Sequence, residues 1–146
     1  MIVRGFEGKQ PRFGERVFVA ENAAVIGDVE VGNDCSIWYA TTIRGDINAI
    51  RIGSRTNVQD NCTIHVTHLQ WPTVIAEEVT IGHGAIVHGC TVRRGALIGM
   101  GSRVLDGAVV GESALVGAGA RPRGDARAAA RARRRRAGES QTAADG

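Results

Sequence analysis

The chain has 146 residues, a formal net charge of +3 at pH 7, only 4% aromatic residues and 20 glycines. That length suits one domain around a single core, and an apolar set led by Val, Ile and Ala favours strands with tight corners over a core of large rings. No apolar run reaches about 18 residues and no basic-then-apolar leader is read at the start, which argues against a helical membrane span, a membrane partner or secretion and makes a cytoplasmic location the expectation.

Cys35, Cys62 and Cys90 are odd in number and lack CxxC spacing, so free buried thiols in a reducing compartment are expected. The charge is unevenly spread. Residues 121–146 hold 8 Arg against 3 acidic residues, which leaves residues 1–120 at net −2. The Arg133–Arg136 run is read as part of a solvated tail, and no nucleic-acid partner is expected.

Taken in order, residues 1–18 form an irregular lead-in with Pro11 and Gly14, expected to cover the first coil. Residues 19–120 form the main domain. Val19, Val25, Val31, Ile37 and Ile43 are six apart; so are Ile52, Val58 and Ile64, then Ile75, Ile81 and Val87, then Val92, Ile98, Val104, Val110 and Val116. A small residue follows most of them by four, as at Ala23, Cys35, Thr41, Thr56, Cys62, Ala85 and Thr91. Residues two apart on a strand share a face, so each aliphatic points inward with the small residue two before it. Gly and Asn between them suit a corner with positive φ.

A six-residue unit cannot bury its own face, but stacking can, which is the logic of a β-solenoid. The pattern resembles the hexapeptide repeat of left-handed parallel β-helices, three hexads to a triangular coil. The handedness is taken from that resemblance. Sixteen hexads then make about five coils of an all-β fold.

Three irregularities interrupt the repeat. Three residues are inserted between Arg44 and Arg51, five between Ile64 and Ile75, and one is missing between Val87 and Val92. Breaks in a regular solenoid commonly mark function or an interface. Residues 121–146 form an Arg/Ala-rich tail, expected to be a poor helix or without order. Its composition also fits an atypical segment or a shifted reading frame of GC-rich coding sequence.

The breaks flank three of the chain's four histidines. His65 and His88 each follow their aliphatic by one residue. Counting hexads in threes puts them on the same outer face, one coil apart. Adjacent strands lie about 4.8 Å apart, so two imidazoles there can converge on one ion at about 2.0–2.1 Å. His83 falls on a different face, where a neighbouring chain can offer it to such a pair. A triangular prism suits a three-fold assembly with three shared sites. Arg44 lies one coil before His65 in the same column. Arg44 and Asp46 flank a Gly corner and suit an ion pair between subunits. Asp60 lies one coil below His83, where it can fix an imidazole tautomer. Trp38, Tyr39 and Trp71 are read as packing residues, and His68 sits in the larger insertion.

Arg44-Gly45-Asp46, Asn57-Val58-Gln59-Asp60, Ile64-His65, Ile81-Gly82-His83-Gly84, Val87-His88-Gly89-Cys90 and Ile98-Gly99-Met100-Gly101 together resemble the gamma-class carbonic anhydrase family. The likeness runs over about residues 10–120. It implies a homotrimer of left-handed β-helices, with His65 and His88 as two metal ligands from one subunit and His83 as the third from the next. Arg44 and Asp46 match the family's interface ion pair, Gln59 the contact to metal-bound water, and Asn57 a nearby polar residue. The implied metal is Zn2+, with Fe2+ or Co2+ as alternatives, and the implied reaction is hydration of CO2 to bicarbonate by hydroxide generated on the metal.

The chain departs from the best-equipped members at the proton shuttle. Ile47 stands where they carry Glu, and the loop from His65 to Pro72 has no carboxylate; His68 is the candidate substitute. Rival functions are a metal-dependent acyl-CoA thioesterase, a hexapeptide acyltransferase, and a catalytically weak structural or assembly subunit.

Overall fold

Alternation inside each hexad and stacking between hexads build a three-walled parallel solenoid. The computed structural model describes residues 1–122 and Arg127–Ala128. Every regular element among them is a strand, and no helix there is long and apolar enough to cross a membrane.

One wall stacks Phe18–Val19, Ser36–Ile37, Asn57–Val58, Thr80–Ile81, Leu97–Ile98 and Leu115–Val116 in parallel. A second begins with the first halves of Ala24–Val31 and Thr42–Ile52. It continues through Thr63–His65, Ile86–His88 and Arg103–Val104. The two long strands bend round the corner and start the third wall, followed by Thr73–Ile75, Thr91–Val92, Val109–Val110 and Arg127–Ala128.

This is the left-handed parallel β-helix expected, but with about six turns instead of five. The extra rung comes from the lead-in, where Ile2–Arg4 pairs with Ala24–Ile26 and Arg12–Phe13 with Glu30–Val31. A terminal rung stacks on one side only, so its sequence is free of the hexad constraint. Of the tail, Arg127–Ala128 pairs with Val109–Val110; the expectation for the remainder of the tail lies outside the described residues.

Fifteen of the sixteen repeat aliphatics are buried; Val19, near the open end, is half-buried. Each fully buried Ile or Val contributes about 1.5–3 kcal/mol of transfer free energy. The small inward positions close the corners. Thr41 and Thr56 are inward too, and their hydroxyls donate to Gln59 O at 2.8 Å and Ala76 O at 3.1 Å, which offsets the cost of burying them. Counting from Val87 selected Thr91 as the inward small residue. The missing residue shifts that role to Cys90, which is buried while Thr91 is half-exposed. All three cysteines are free and buried.

Glycine after the aliphatic has a steric cause. At Gly82 an added Cβ would lie 2.8 Å from Met100 N and 2.9 Å from Ile98 O, on the rung above. The corners take positive φ at Asn61 (59°), Asp34 (57°), Arg55 (58°) and Gly84 (67°). The three-residue insertion falls between Gly45 and Ile50, where the pairing shifts against Gly27 and Val29. The five-residue insertion becomes a loop closed by a Thr67–Trp71 bridge.

Candidate metal centre

His88 pairs directly with His65 across adjacent rungs, following Val87 on Ile64. Both side chains leave the same wall, and their rings meet at a centroid distance of 5.0 Å, 62° apart. His65 Nδ1 lies 3.1 Å from His88 Nε2. Two nitrogens bound to one tetrahedral ion at about 2.0–2.1 Å would stand about 3.3 Å apart. The rings are therefore close enough to share an ion.

The far side of each ring carries a carboxylate. His65 Nε2 is 2.9 Å from Asp46 Oδ1, and His88 Nδ1 is 2.6 Å from Asp106 Oδ1. Burial pushes the Asp46 carboxyl up, but hydrogen bonds from His65 and its own backbone, with Arg44 beside it, hold it below the usual carboxylate range. Asp106 behaves the same way: burial raises it, and hydrogen bonds from His88 and Thr67 bring it down. Both carboxylates are thus acceptors, and each takes an imidazole N–H. In the neutral rings this leaves a lone pair on His65 Nδ1 and another on His88 Nε2, aimed at each other. Two acceptors at 3.1 Å repel unless a proton or a cation stands between them. This donor set, neutral imidazoles with their tautomers fixed from behind, fits a divalent metal.

Arg44 and Asp46 pair within one chain, Nη1 to Oδ2 at 2.6 Å. Asp46 thereby links the guanidinium to His65. His83 stands on another wall, with about half its side chain exposed, and its Nδ1 lies 3.0 Å from Asp60 Oδ2. Gln59 Oε1 accepts a hydrogen bond from the His83 backbone N–H at 3.1 Å, and Asn57 Nδ2 donates to Ser36 Oγ at 2.6 Å. These residues line a cleft of about 270 Å³ together with Trp38, which also stacks against Phe18 with centroids 5.1 Å apart.

The sequence-selected residues therefore form two clusters in one chain. Arg44, Asp46, His65 and His88 meet on one wall; Asn57, Gln59, Asp60 and His83 meet on another. His68 is exposed on the insertion loop. Among the described residues, no three His, Cys, Asp or Glu side chains of one chain converge to hold an ion.

Two participants escaped the sequence reading. Asp106 lies two residues after Val104, which pairs with Val87 on the adjacent rung; the coil between is one residue short, so the repeat count gave no plain signal for it. Thr67 donates from Oγ1 to Asp106 Oδ2 at 2.8 Å; nothing in its local sequence marks it.

No family model matches the chain. It is 48% identical over 115 residues to gamma carbonic anhydrase 2, mitochondrial, of Arabidopsis thaliana, covering 75% of this chain and 41% of the relative. It is 44% identical over 111 residues to the carbonic anhydrase of Geobacillus kaustophilus, covering 76% and 60%. The chain thus spans about two fifths to three fifths of the length of these curated relatives. Among solved structures, a Bacillus cereus protein described as a candidate acetyltransferase superposes with a TM-score of 0.71 at 40% identity, covering 82% of this chain and 73% of that one.

Proposed function

Because the chain belongs to the gamma carbonic anhydrase family of hexapeptide-repeat proteins, we propose that it is a metal-dependent lyase interconverting CO2 and bicarbonate at sites shared between the subunits of a homotrimer. One observation carries the reading: His65 Nδ1 and His88 Nε2 face each other at 3.1 Å, while carboxylates occupy the opposite ring nitrogens. His65 and His88 from one subunit and His83 from a second copy would hold the metal: Zn2+, or alternatively Fe2+ or Co2+. When bound, such an ion supplies Lewis acidity that yields a water-derived nucleophile near neutral pH.

The chain's own residues supply the rest. Asp46 and Asp106 keep the ligating nitrogens free of protons. Gln59 uses its oxygen on the His83 N–H, so its NH2 remains to donate to a substrate oxygen. Asn57 uses its NH2 on Ser36, so its carbonyl remains to accept. Hydration of CO2 releases a proton for each bicarbonate formed. His68 on the exposed loop is the group assigned to carry that proton to solvent, in a loop without carboxylates. Three buried free thiols support a reducing, cytoplasmic setting.

The likeness to a candidate acetyltransferase favours a second reading, a hexapeptide acyltransferase, which makes no use of the His65–His88 pair. Subunit complementation separates them. His83→Ala protein and His65→Ala/His88→Ala protein should each lose zinc and CO2 hydration by stopped flow. Co-refolded, they should recover part of both, because some interfaces then hold all three imidazoles. Zinc held by a diluted monomer, or acetyl transfer from acetyl-CoA by the double variant at the unmodified rate, would overturn the lyase reading.

A further inference from the structure

Asp106 touches two things at once. Its Oδ1 receives the His88 Nδ1 proton at 2.6 Å, and its Oδ2 receives the Thr67 hydroxyl at 2.8 Å. Thr67 opens the five-residue insertion: its N–H donates to Trp71 O at 2.9 Å, and its carbonyl accepts from Asn48 Nδ2 at 3.0 Å. Space for the carboxylate is reserved by Gly89. A Cβ there would stand 2.4 Å from Asp106 Oδ1 and 2.9 Å from Trp71 Cβ, and Gly89 also holds a φ of +54°. Val104 pairs with Val87 on the adjacent rung, and Asp106 follows Val104 by two residues, so the carboxylate stands on the rung next to His88.

We propose that Asp106 is a positioning residue that joins the metal-binding histidine to the loop over the site, one carboxylate oxygen orienting His88 and the other seating Thr67. The first half rests on the reading of His65 and His88 as metal ligands; the second does not. A carboxylate behind a ligating imidazole fixes its tautomer and raises its basicity, and losing it costs about 10- to 100-fold in metal affinity. Here the same group sets where the Thr67–Trp71 loop lies. Metal affinity and loop order are thereby linked through a single side chain.

The test uses the full chain and two readouts besides activity. Zinc affinity is measured by chelator competition for the unmodified protein, Asp106→Ala, Asp106→Asn and Thr67→Val. Amide exchange across Val66–Pro72 is measured on the same proteins without metal. Asp106→Ala should weaken zinc about 10- to 100-fold and speed exchange at Thr67 about tenfold. Asp106→Asn, which keeps the shape but accepts less strongly, should fall between. Thr67→Val should speed exchange while moving zinc affinity less than about threefold. Equal zinc affinity in the unmodified and Asp106→Ala proteins would overturn the positioning role while leaving the metal reading intact. An unmodified chain that binds no zinc at all would remove both the metal reading and the first half of the proposal. Unchanged exchange in Asp106→Ala and Thr67→Val would remove the second half.

Discussion

The histidine-bearing turns and the last turns share an interior and differ outside. Ile64, Val87 and Val104 sit in register in one column, and all three are fully buried. Nothing about that column tells a functional rung from an architectural one. Outward, the middle turns carry His65 and His88 with Asp46 behind one ring and Asp106 behind the other. The last turns carry Leu97 opposite Leu115, both exposed, with Val109 exposed on a neighbouring wall. The middle turns are also where all three breaks in the period fall. Interior hexads specify the solenoid; exposed positions and irregular corners specify what it does.

The sharpest break of this comparison would be unequal interiors. Ile64→Ala beneath the histidines and Ile98→Ala in the upper turns each remove a fully buried side chain. Each should lower metal-free stability in urea by about 2–5 kcal/mol, with the two values close to each other. A cost at Ile64 far below that at Ile98 would mean that the functional turns are loosely packed. The exterior is tested by grafting. Leu97→His with Leu115→His sets two imidazoles on adjacent rungs but places no carboxylate behind either. That pair, in a background of His65→Ala and His88→Ala, should bind zinc at least about tenfold more weakly than the native pair. Equal affinity would show that stacking two imidazoles suffices and that Asp46 and Asp106 are incidental.

The sequence made the interior legible because a period of six recurs wherever stacking buries an aliphatic. The assignment of His65 and His88 to one column, and of Asp60 beneath His83, followed from the same count. Rungs at the edge of the stack were hidden: Ile2–Arg4 and Arg12–Phe13 pair on one side only and keep no hexad. Breaks in the count hid local detail, as where Cys90 replaces Thr91 inside. Asp46 was legible as a partner of Arg44 but not of His65, because the inserted residues carry it to the imidazole along a path no periodicity describes. Asp106 was missed for a simpler reason. It lies beyond the irregular segment, in turns whose regularity suggested architecture alone.

The smallest effect concerns charge, which also divides the two regions. Asp28 lies at the corner where the long strands bend, 2.8 Å from Arg51 and 3.1 Å from Lys9. Among the described residues, Leu97–Val116 contributes to ion pairs only through Asp106. Burial pushes the Asp28 carboxyl up, but hydrogen bonds from Arg51 and Lys9 outweigh it and hold the group below its ordinary value. A carboxylate depressed in the folded state adds stability above its unfolded value, near about 3.9, and that stability disappears as pH falls through the folded value. Arg51 and Lys9 are partly exposed, so solvent screening keeps the effect under about 1 kcal/mol. Asp28→Asn should therefore lower stability slightly at pH 7 and not at all near pH 2. On acidification of the unmodified chain, hydrogen exchange should quicken first around Asp28 and Arg51, with the amides of Leu97–Val116 following later. If the upper turns open first, the ion pairs of the lower turns are decorative, and the repeat interior alone sets the order in which the solenoid comes apart.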